Sequence, residues 1–399
     1  MNTAHDFTSR AEELKNAVVG WRRHFHSHPE LSFDETETSR FIAQELTRMG
    51  CTNVTVGTMG RPVGVIADIE GGHAGRRVAL RADIDALPVC EDTGLEFASQ
   101  NPGVMHACGH DGHTAMLLGA AQMLAEVKDS LHGSVRLIFQ TSEESAESYQ
   151  GAHAVVNDGK ALDGVDAIFG VHLWAPLENG VLGWKAGPMM ACSDCWKLRI
   201  TGKGGHGASP HEAHDPIAAT GHIICDLQTF VSRELDPLKC AVLTIGMMKA
   251  GAAFNVIPSH VDLVGTARSF DPDVSLATEE FIRRIADNVA HAYRCEAELV
   301  YERNLPATIN DPAMAELGRK VAAGIFGEDK VREITPTMGG EDFSFYLQRV
   351  PGSFFFIGMG SAEKGIVWPH HHPKFMIDED VLAPGAAFEA ACAWNFLNG

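Results

Sequence analysis

Apolar segments of strand length and helix length alternate along roughly the first 180 residues, lose that order near residue 190, and regain it after Pro306. Such alternation confines a chain to an α/β core, because parallel strands need covering crossover helices. Leu14, Val18, Trp21 and Phe25, then Phe41, Leu46 and Met49, recur at helical spacing over 8–49, with a turn at Pro29. Residues 54–56, 63–69 and 77–81 read as strands bounded by Gly or Pro. A helix from His113, a buried strand 134–140, a helix 152–157 and a buried strand 166–172 continue the pattern.

The interruption has its own order. Residues 195–202 read as a strand, 215–233 as a helix, 241–249 and 261–268 as strands, 275–293 as a helix and 296–301 as a strand. That is the β-α-β-β-α-β order of ferredoxin-like domains. After Pro306 come a helix 312–325, a strand 352–358 and a closing helix 383–397. The expectation is an α/β domain from 1–189 plus 305–399, interrupted by an α+β domain at 190–304. A single small sheet leaves an unpaired edge, so the inserted domain is expected to act as a lid or to pair with a second copy, giving a homodimer or higher homo-oligomer.

Charge narrows the partners. With 52 Asp and Glu against 32 Lys and Arg, the net charge is −20, which repels nucleic acid and anionic membranes. No charge-free apolar run approaches the roughly 18 residues of a membrane span, and MNTAHDFTSRAEELK has no apolar stretch of a secretory signal. Nine cysteines are an odd number and too sparse for a disulfide scaffold. A cytoplasmic protein with neither membrane nor nucleic-acid partners is expected.

Histidines cluster at His106, His110 and His113, at His206, His211 and His214, and at His370, His371 and His372. Four places put metal-type ligands at the carboxyl end of an expected strand or in the loop after it, where open α/β sheets bind ligands. Cys108 and His110 precede a helix, with Gly109 allowing a sharp turn between them. Glu143 and Glu144 follow the strand SVRLIFQ; adjacent carboxylates repel unless cations offset them, and one can bind metal while the other accepts a proton. His172 ends the strand DAIFGVH, and His371 lies in Trp368-Pro-His-His-His-Pro373. Singly, each has an ordinary reading: a buried thiol, a solvated carboxylate pair, a core histidine, a surface loop. Their joint placement at strand ends raises the metal reading to stand beside these.

The chain also resembles the amidohydrolase branch of the dinuclear metallo-aminopeptidase-like family, which includes hippurate hydrolases, N-acyl-amino-acid amidohydrolases and plant auxin-conjugate hydrolases. The strings that carry the resemblance run from Trp21-Arg-Arg-His-Phe-His-Ser-His-Pro-Glu-Leu31 and Leu80-Arg-Ala-Asp-Ile-Asp-Ala-Leu-Pro88 to His106-Ala-Cys-Gly-His-Asp-Gly-His-Thr114 and Phe139-Gln-Thr-Ser-Glu-Glu144. They continue through Gly202-Lys-Gly-Gly-His-Gly-Ala-Ser-Pro210, Phe254-Asn-Val-Ile-Pro258 and Gly339-Gly-Glu-Asp-Phe343. The resemblance implies two divalent metals on Cys108, His110, Glu144, His172 and His371, with Cys108 bridging and Glu143 as general base. Asp83 and Asp85 would orient ligand histidines, with plain loop capping as the alternative. The resemblance also implies that His206 stabilises the oxyanion, in its own or the partner subunit's site, and that Asn255 and Arg268 hold the substrate carboxylate. A thiolate ligand favours zinc, and the His and carboxylate remainder also accepts manganese, nickel or cobalt.

The implied reaction is hydrolysis of N-acyl amino acids, hippurate-like or acetylated. A metallo-carboxypeptidase or dipeptidase on the same site is the near alternative. A cysteine hydrolase using Cys108, or a non-catalytic metal-binding protein, are the alternatives of a different class. Cys192-Ser-Asp-Cys195 has no second cysteine pair to complete a zinc knuckle, and Gly202, Gly204 and Gly205 form no phosphate loop. One departure stands out: relatives carry a short Gly-rich stretch after the Glu pair, where this chain has Ser145-Ala-Glu-Ser-Tyr-Gln150, next to the expected metals.

Overall fold

The computed structural model describes residues 6–58, 60–145, 151–157 and 161–399. The chain divides into two compact units, one of Met1–Gly187, Ile309–Thr335 and Asp342–Gly399, the other of Pro188–Thr308 and Pro336–Glu341. Among the described residues, no helix is long and apolar enough to cross a membrane.

In the first unit the main sheet has the order Thr52–Thr58, Arg61–Glu70, His132–Gln140, His73–Asp83, Ala167–Glu178, Gly352–Gly360, Leu182–Trp184 and Val331–Glu333. The four strands from His132–Gln140 to Gly352–Gly360 run parallel. They are covered by helices and read as near-continuous apolar runs, as strands buried on both faces must. Leu80, Leu137, Val171 and Ile357 share one core with helices Phe7–Ser27, His110–Glu126 and Leu382–Asn398. Helix His110–Glu126 is buried on nearly every side, so it carries no amphipathic stripe.

In the second unit the sheet order is Ala241–Ala250, His260–Ser269, Ser193–Thr201, Glu296–Leu305, antiparallel throughout. With helices Pro216–Leu227 and Pro272–Ala292 this is the expected β-α-β-β-α-β order. Trp196, Leu198 and Ile200 point inward from the central strand, while Lys197, Arg199 and Thr201 are exposed. Gly265 is required here: a Cβ would sit 2.1 Å from Cζ2 of the buried Trp196. Both helices begin Asp-Pro, with Asp215 and Asp271 accepting backbone N–H groups at the N-cap and proline at the first helical position, where no N–H is needed.

Some boundaries differ from the periodicity. The helix expected from His113 begins at His110, because its polar first turn is buried by specific partners that hydropathy does not register. The helix expected over 215–233 is Pro216–Leu227 followed by a π-helical turn, Phe230–Glu234. Strands Leu182–Trp184 and Val331–Glu333 were not anticipated, since three residues carry no measurable period.

Candidate metal centre

Register brings the strand ends level. Asp83 pairs with Gln140, Arg81 with Gly170, and Phe356 with His172. Asp85, the Ser142–Glu144 turn and His172 therefore gather at one edge of the parallel strands. Cys108 and His110 arrive at the start of helix His110–Glu126, after Gly109 at φ +96°, a conformation a side chain strains to adopt. His371 joins from the loop ahead of the last helix, its backbone N–H donating to the Ala107 carbonyl at 2.8 Å.

Among the groups of donor atoms that lie within 4.8 Å of one another, three hold the expected ligands: Cys108, His110 and His172; Cys108, Glu144 and His371; and His110, Glu143 and Glu144; a further group joins Asp83, His110 and His113. Cys108 belongs to two of them. Each histidine spends its Nδ1 or faces a carboxylate. His172 Nδ1 donates to the Leu173 carbonyl at 2.7 Å, which leaves Nε2 facing Cys108 Sγ at 3.6 Å. His110 Nδ1 contacts the Asp85 carbonyl at 3.0 Å and Asp85 Oδ1 at 3.2 Å. Among the described residues its buried Nε2 has no hydrogen-bond partner, and carboxylate oxygens of Asp83, Glu144 and Glu143 stand 3.8, 3.9 and 4.0 Å away. His371 Nε2 lies 3.1 Å from Glu144 Oε1.

His113, clustered with His106 and His110 in sequence, is engaged differently. Its Nδ1 contacts Asp83 Oδ1 at 2.6 Å and its Nε2 accepts from Leu173 N–H at 2.8 Å. Both ring nitrogens are spent, so His113 braces the strand ends instead of offering a ligand atom. Asp83 thus touches His113 and Arg81, whereas Asp85 touches His110.

The electrostatics describe a cluster short of positive charge. Burial lowers the His110 pKa, but Asp83, Asp85 and Glu144 outweigh it and push the imidazole up to about 10. Burial, then the charges of Glu144 and Glu143, push the Cys108 thiol well above its ordinary value. Burial, then neighbouring His113 and His370, hold His172 well below its ordinary value and therefore neutral, the form that binds a cation. Converging anions, a neutral imidazole and a buried Nε2 with no partner among the described residues fit divalent cations.

His206, Asn255 and Arg268 lie in the second unit. His206 pairs in a short ladder with Val256, and Gly207 N–H donates to the Asn255 carbonyl at 2.8 Å. His206 Nδ1 accepts from Ala208 N–H at 3.0 Å, which places the ring proton on the other nitrogen of an exposed side chain. Arg268 is half-buried on strand His260–Ser269. Cys192 and Cys195 are free thiols. The departure at 145–150 falls, Ser145 apart, outside the described residues.

Sequence reasoning assigned no role to Arg81, which is fully buried. It donates to Gln140 Oε1 at 2.9 Å, Asp83 Oδ2 at 2.7 Å and Asp342 Oδ1 at 2.7 Å, tying three chain segments beneath the site. A lone arginine inside the apolar run VALRAD was the available signal.

A mixed sheet whose parallel strands gather histidines, a thiol and paired carboxylates at their carboxyl edge has the layout of a metallohydrolase of the α/β class. The sequence pattern of peptidase family M20/M25/M40 matches residues 79–395, and the chain belongs to that family of amide-bond hydrolases. Thermostable carboxypeptidase 1 of Saccharolobus solfataricus is 39% identical over 399 residues, covering 100% of both chains. N-acetyl-L-cysteine deacetylase of Bacillus subtilis is 42% identical over 385 residues, 96% of this chain and 89% of that one. The crystal structure of the Bacillus subtilis YXEP protein, a dinuclear metal binding peptidase from the M20 family, is similar with a TM-score of 0.85 at 37% identity, covering 97% of this chain and 99% of that one.

Proposed function

We propose that the chain hydrolyses the amide bond of N-acyl amino acids, hippurate-like or acetylated, to a carboxylic acid and an amino acid. The observation that carries this is the pair of overlapping donor groups sharing Cys108, with Glu143 beside them. Cys108, His110, Glu144, His172 and His371 would hold two divalent ions, zinc or manganese first, with Cys108 common to both. Such ions, when bound, would polarise an amide carbonyl and lower the pKa of the attacking water. Glu143 takes the proton of the attacking water and delivers it to the departing amine. Asp85 fixes the His110 ring through Nδ1, so that Nε2 is the ligand atom. Burial, then the charges of Glu144 and Glu143, oppose the free thiolate that a cysteine nucleophile needs.

The second unit supplies the rest of this reading. His206, with its proton on the exposed nitrogen, is suited to donate to the oxyanion, and Asn255 and Arg268 to hold the substrate carboxylate. Strand Ala241–Ala250 is a sheet edge with Met247 and Met248 exposed, which supports pairing with a second copy. If His206 acts across such a dimer, mixing Glu143→Gln with His206→Ala subunits restores one composite site per hybrid. No recovery despite proven subunit exchange removes the action in trans.

The similarity to a carboxypeptidase keeps one near alternative open, a metallo-carboxypeptidase or dipeptidase on the same residues. A set of N-acetyl and N-benzoyl amino acids, assayed against dipeptides with the same C-terminal residue, separates the two. The proposal expects the higher kcat/KM on the N-acyl set. Higher values on the dipeptides convert it to the alternative, and no turnover of either by metal-loaded protein contradicts both.

A further inference from the structure

Glu35 is fully buried at the N-cap position of helix Thr36–Arg48, yet its side chain does not cap that helix. Glu30 caps it instead, accepting from Glu37 N–H at 3.2 Å and Thr38 N–H at 2.8 Å. The Glu35 carboxyl reaches the turn after strand His132–Gln140. There Oε1 accepts from Thr141 Oγ1 at 2.7 Å and from Ser142 N–H at 2.9 Å.

Ser142 is the residue immediately before Glu143 and Glu144, and its φ is +61°. A residue with a Cβ holds that left-handed conformation only where its surroundings impose it. The imposition comes from the loop between the first two helices. Phe33 N–H donates to Ser142 Oγ at 3.0 Å, and the Thr141 and Ser142 hydroxyls are 2.8 Å apart. Ser32 Oγ donates at 2.6 Å to Asp85 Oδ2, which also accepts Glu144 N–H at 2.9 Å. The carboxylate pair is therefore gripped on both sides, at the residue before it and at the amide of its second member. Burial, then the charge of Asp85, push the Glu35 carboxyl up despite its hydrogen bonds, so it serves as a neutral acceptor.

We infer that Glu35 is a positioning residue: its Oε1 holds Ser142 in the left-handed turn and so sets the direction in which Glu143 and Glu144 leave the strand end. The inference rests on the roles proposed above for those two carboxylates. Residues that orient metal ligands from outside typically change metal affinity or activity about 10–100-fold when removed, and a 1 Å misplacement of a reacting group costs on the order of 10²-fold.

The test compares Glu35→Gln, which keeps an amide oxygen where Oε1 stands, with Glu35→Ala, which removes the acceptor. Both are assayed with N-acetyl-methionine and by zinc titration, at a temperature where circular dichroism shows each variant folded. Glu35→Ala is expected to lose about 10–100-fold in kcat and in zinc affinity, with KM within about threefold. Glu35→Gln is expected to stay within about threefold of the original in kcat and zinc affinity. A merely structural residue would lower the melting temperature and leave kcat per folded molecule and zinc affinity unchanged, which overturns the inference. Equal losses in both variants also overturn it, because the ionised carboxylate itself would then be needed. Should Glu35→Ala fail to fold, Thr141→Val removes one of the two donors to Oε1 and reads the same quantities; no change in either overturns the inference. If the unmodified, metal-loaded protein turns over no N-acyl amino acid, the proposed function has failed, and the zinc titrations still decide Glu35.

Discussion

His371 Nε2 lies 3.1 Å from Glu144 Oε1, which joins the loop ahead of the last helix to the turn after strand His132–Gln140. His371 itself is at φ +65° and is held by its backbone bond to Ala107, one residue before Cys108. These two contacts of His371 gather three distant chain segments around Cys108. Glu144 faces His371 within the donor cluster, and in the proposed reading Glu143 is the carboxylate that transfers the proton.

That division of roles predicts opposite phenotypes. Glu143→Gln is expected to retain both metals and lose on the order of 10²–10⁴-fold in kcat. Glu144→Gln is expected to lose metal, with activity falling as a consequence. Metal content by elemental analysis, measured beside kcat, decides; exchanged phenotypes would reverse the roles of base and ligand.

A second prediction concerns the buried charges under helix His110–Glu126. Asp111 accepts from Arg22 Nε at 2.8 Å and stands 2.8 Å from His26 Nδ1, all three side chains being buried. Asp111→Asn leaves the Arg22 guanidinium without its buried counter-charge, a class of change that costs about 3–5 kcal/mol. Denaturant unfolding followed by fluorescence is expected to show the midpoint falling accordingly; a loss under about 1 kcal/mol would mean that Glu379, 3.2 Å from Arg22 Nη1, suffices.

Much of the fold was legible because its elements carry periods. The buried strand at 134–140 and the β-α-β-β-α-β order of the second unit both follow from apolar spacing and turn residues. The donor-type residues that the structure brings together, Cys108, the Glu pair, His172 and His371, each stand at an expected strand end or in the loop after one, which is the signal the sequence offers. The polar supports were not legible. Arg81, Asp111 and Glu35 are buried ionisable residues, and which partner satisfies each is decided by tertiary packing between segments far apart in the chain. Nothing in local sequence distinguishes His113, whose two nitrogens are spent on Asp83 and Leu173, from His110, whose Nε2 is not.

The Glu35 carboxyl makes a prediction in pH. Burial, then the charge of Asp85, push it up to about 8, against about 4.3 for an unfolded glutamate. Between these values the folded chain holds a proton that the unfolded chain releases. The stability this group contributes is therefore fully present below about pH 4 and is lost as pH rises toward 8, by up to about 1.4 kcal/mol per pH unit. Glu35→Gln abolishes the ionisation. Its unfolding free energy relative to the original protein is expected to rise steadily from pH 5 to pH 8; a difference independent of pH would contradict the shift.

The central claim is that Cys108, His110, Glu144, His172 and His371 hold two divalent ions on which amide hydrolysis depends. Its most direct test is to strip the protein with EDTA, remove the chelator, and add back zinc or manganese stepwise. Bound metal and turnover of N-acetyl-methionine are measured on the same samples. The account predicts turnover falling to background on stripping and returning on add-back, with binding that saturates near two equivalents per chain. Full turnover in protein holding fewer than about 0.1 equivalents, or saturation below about one equivalent, would contradict it.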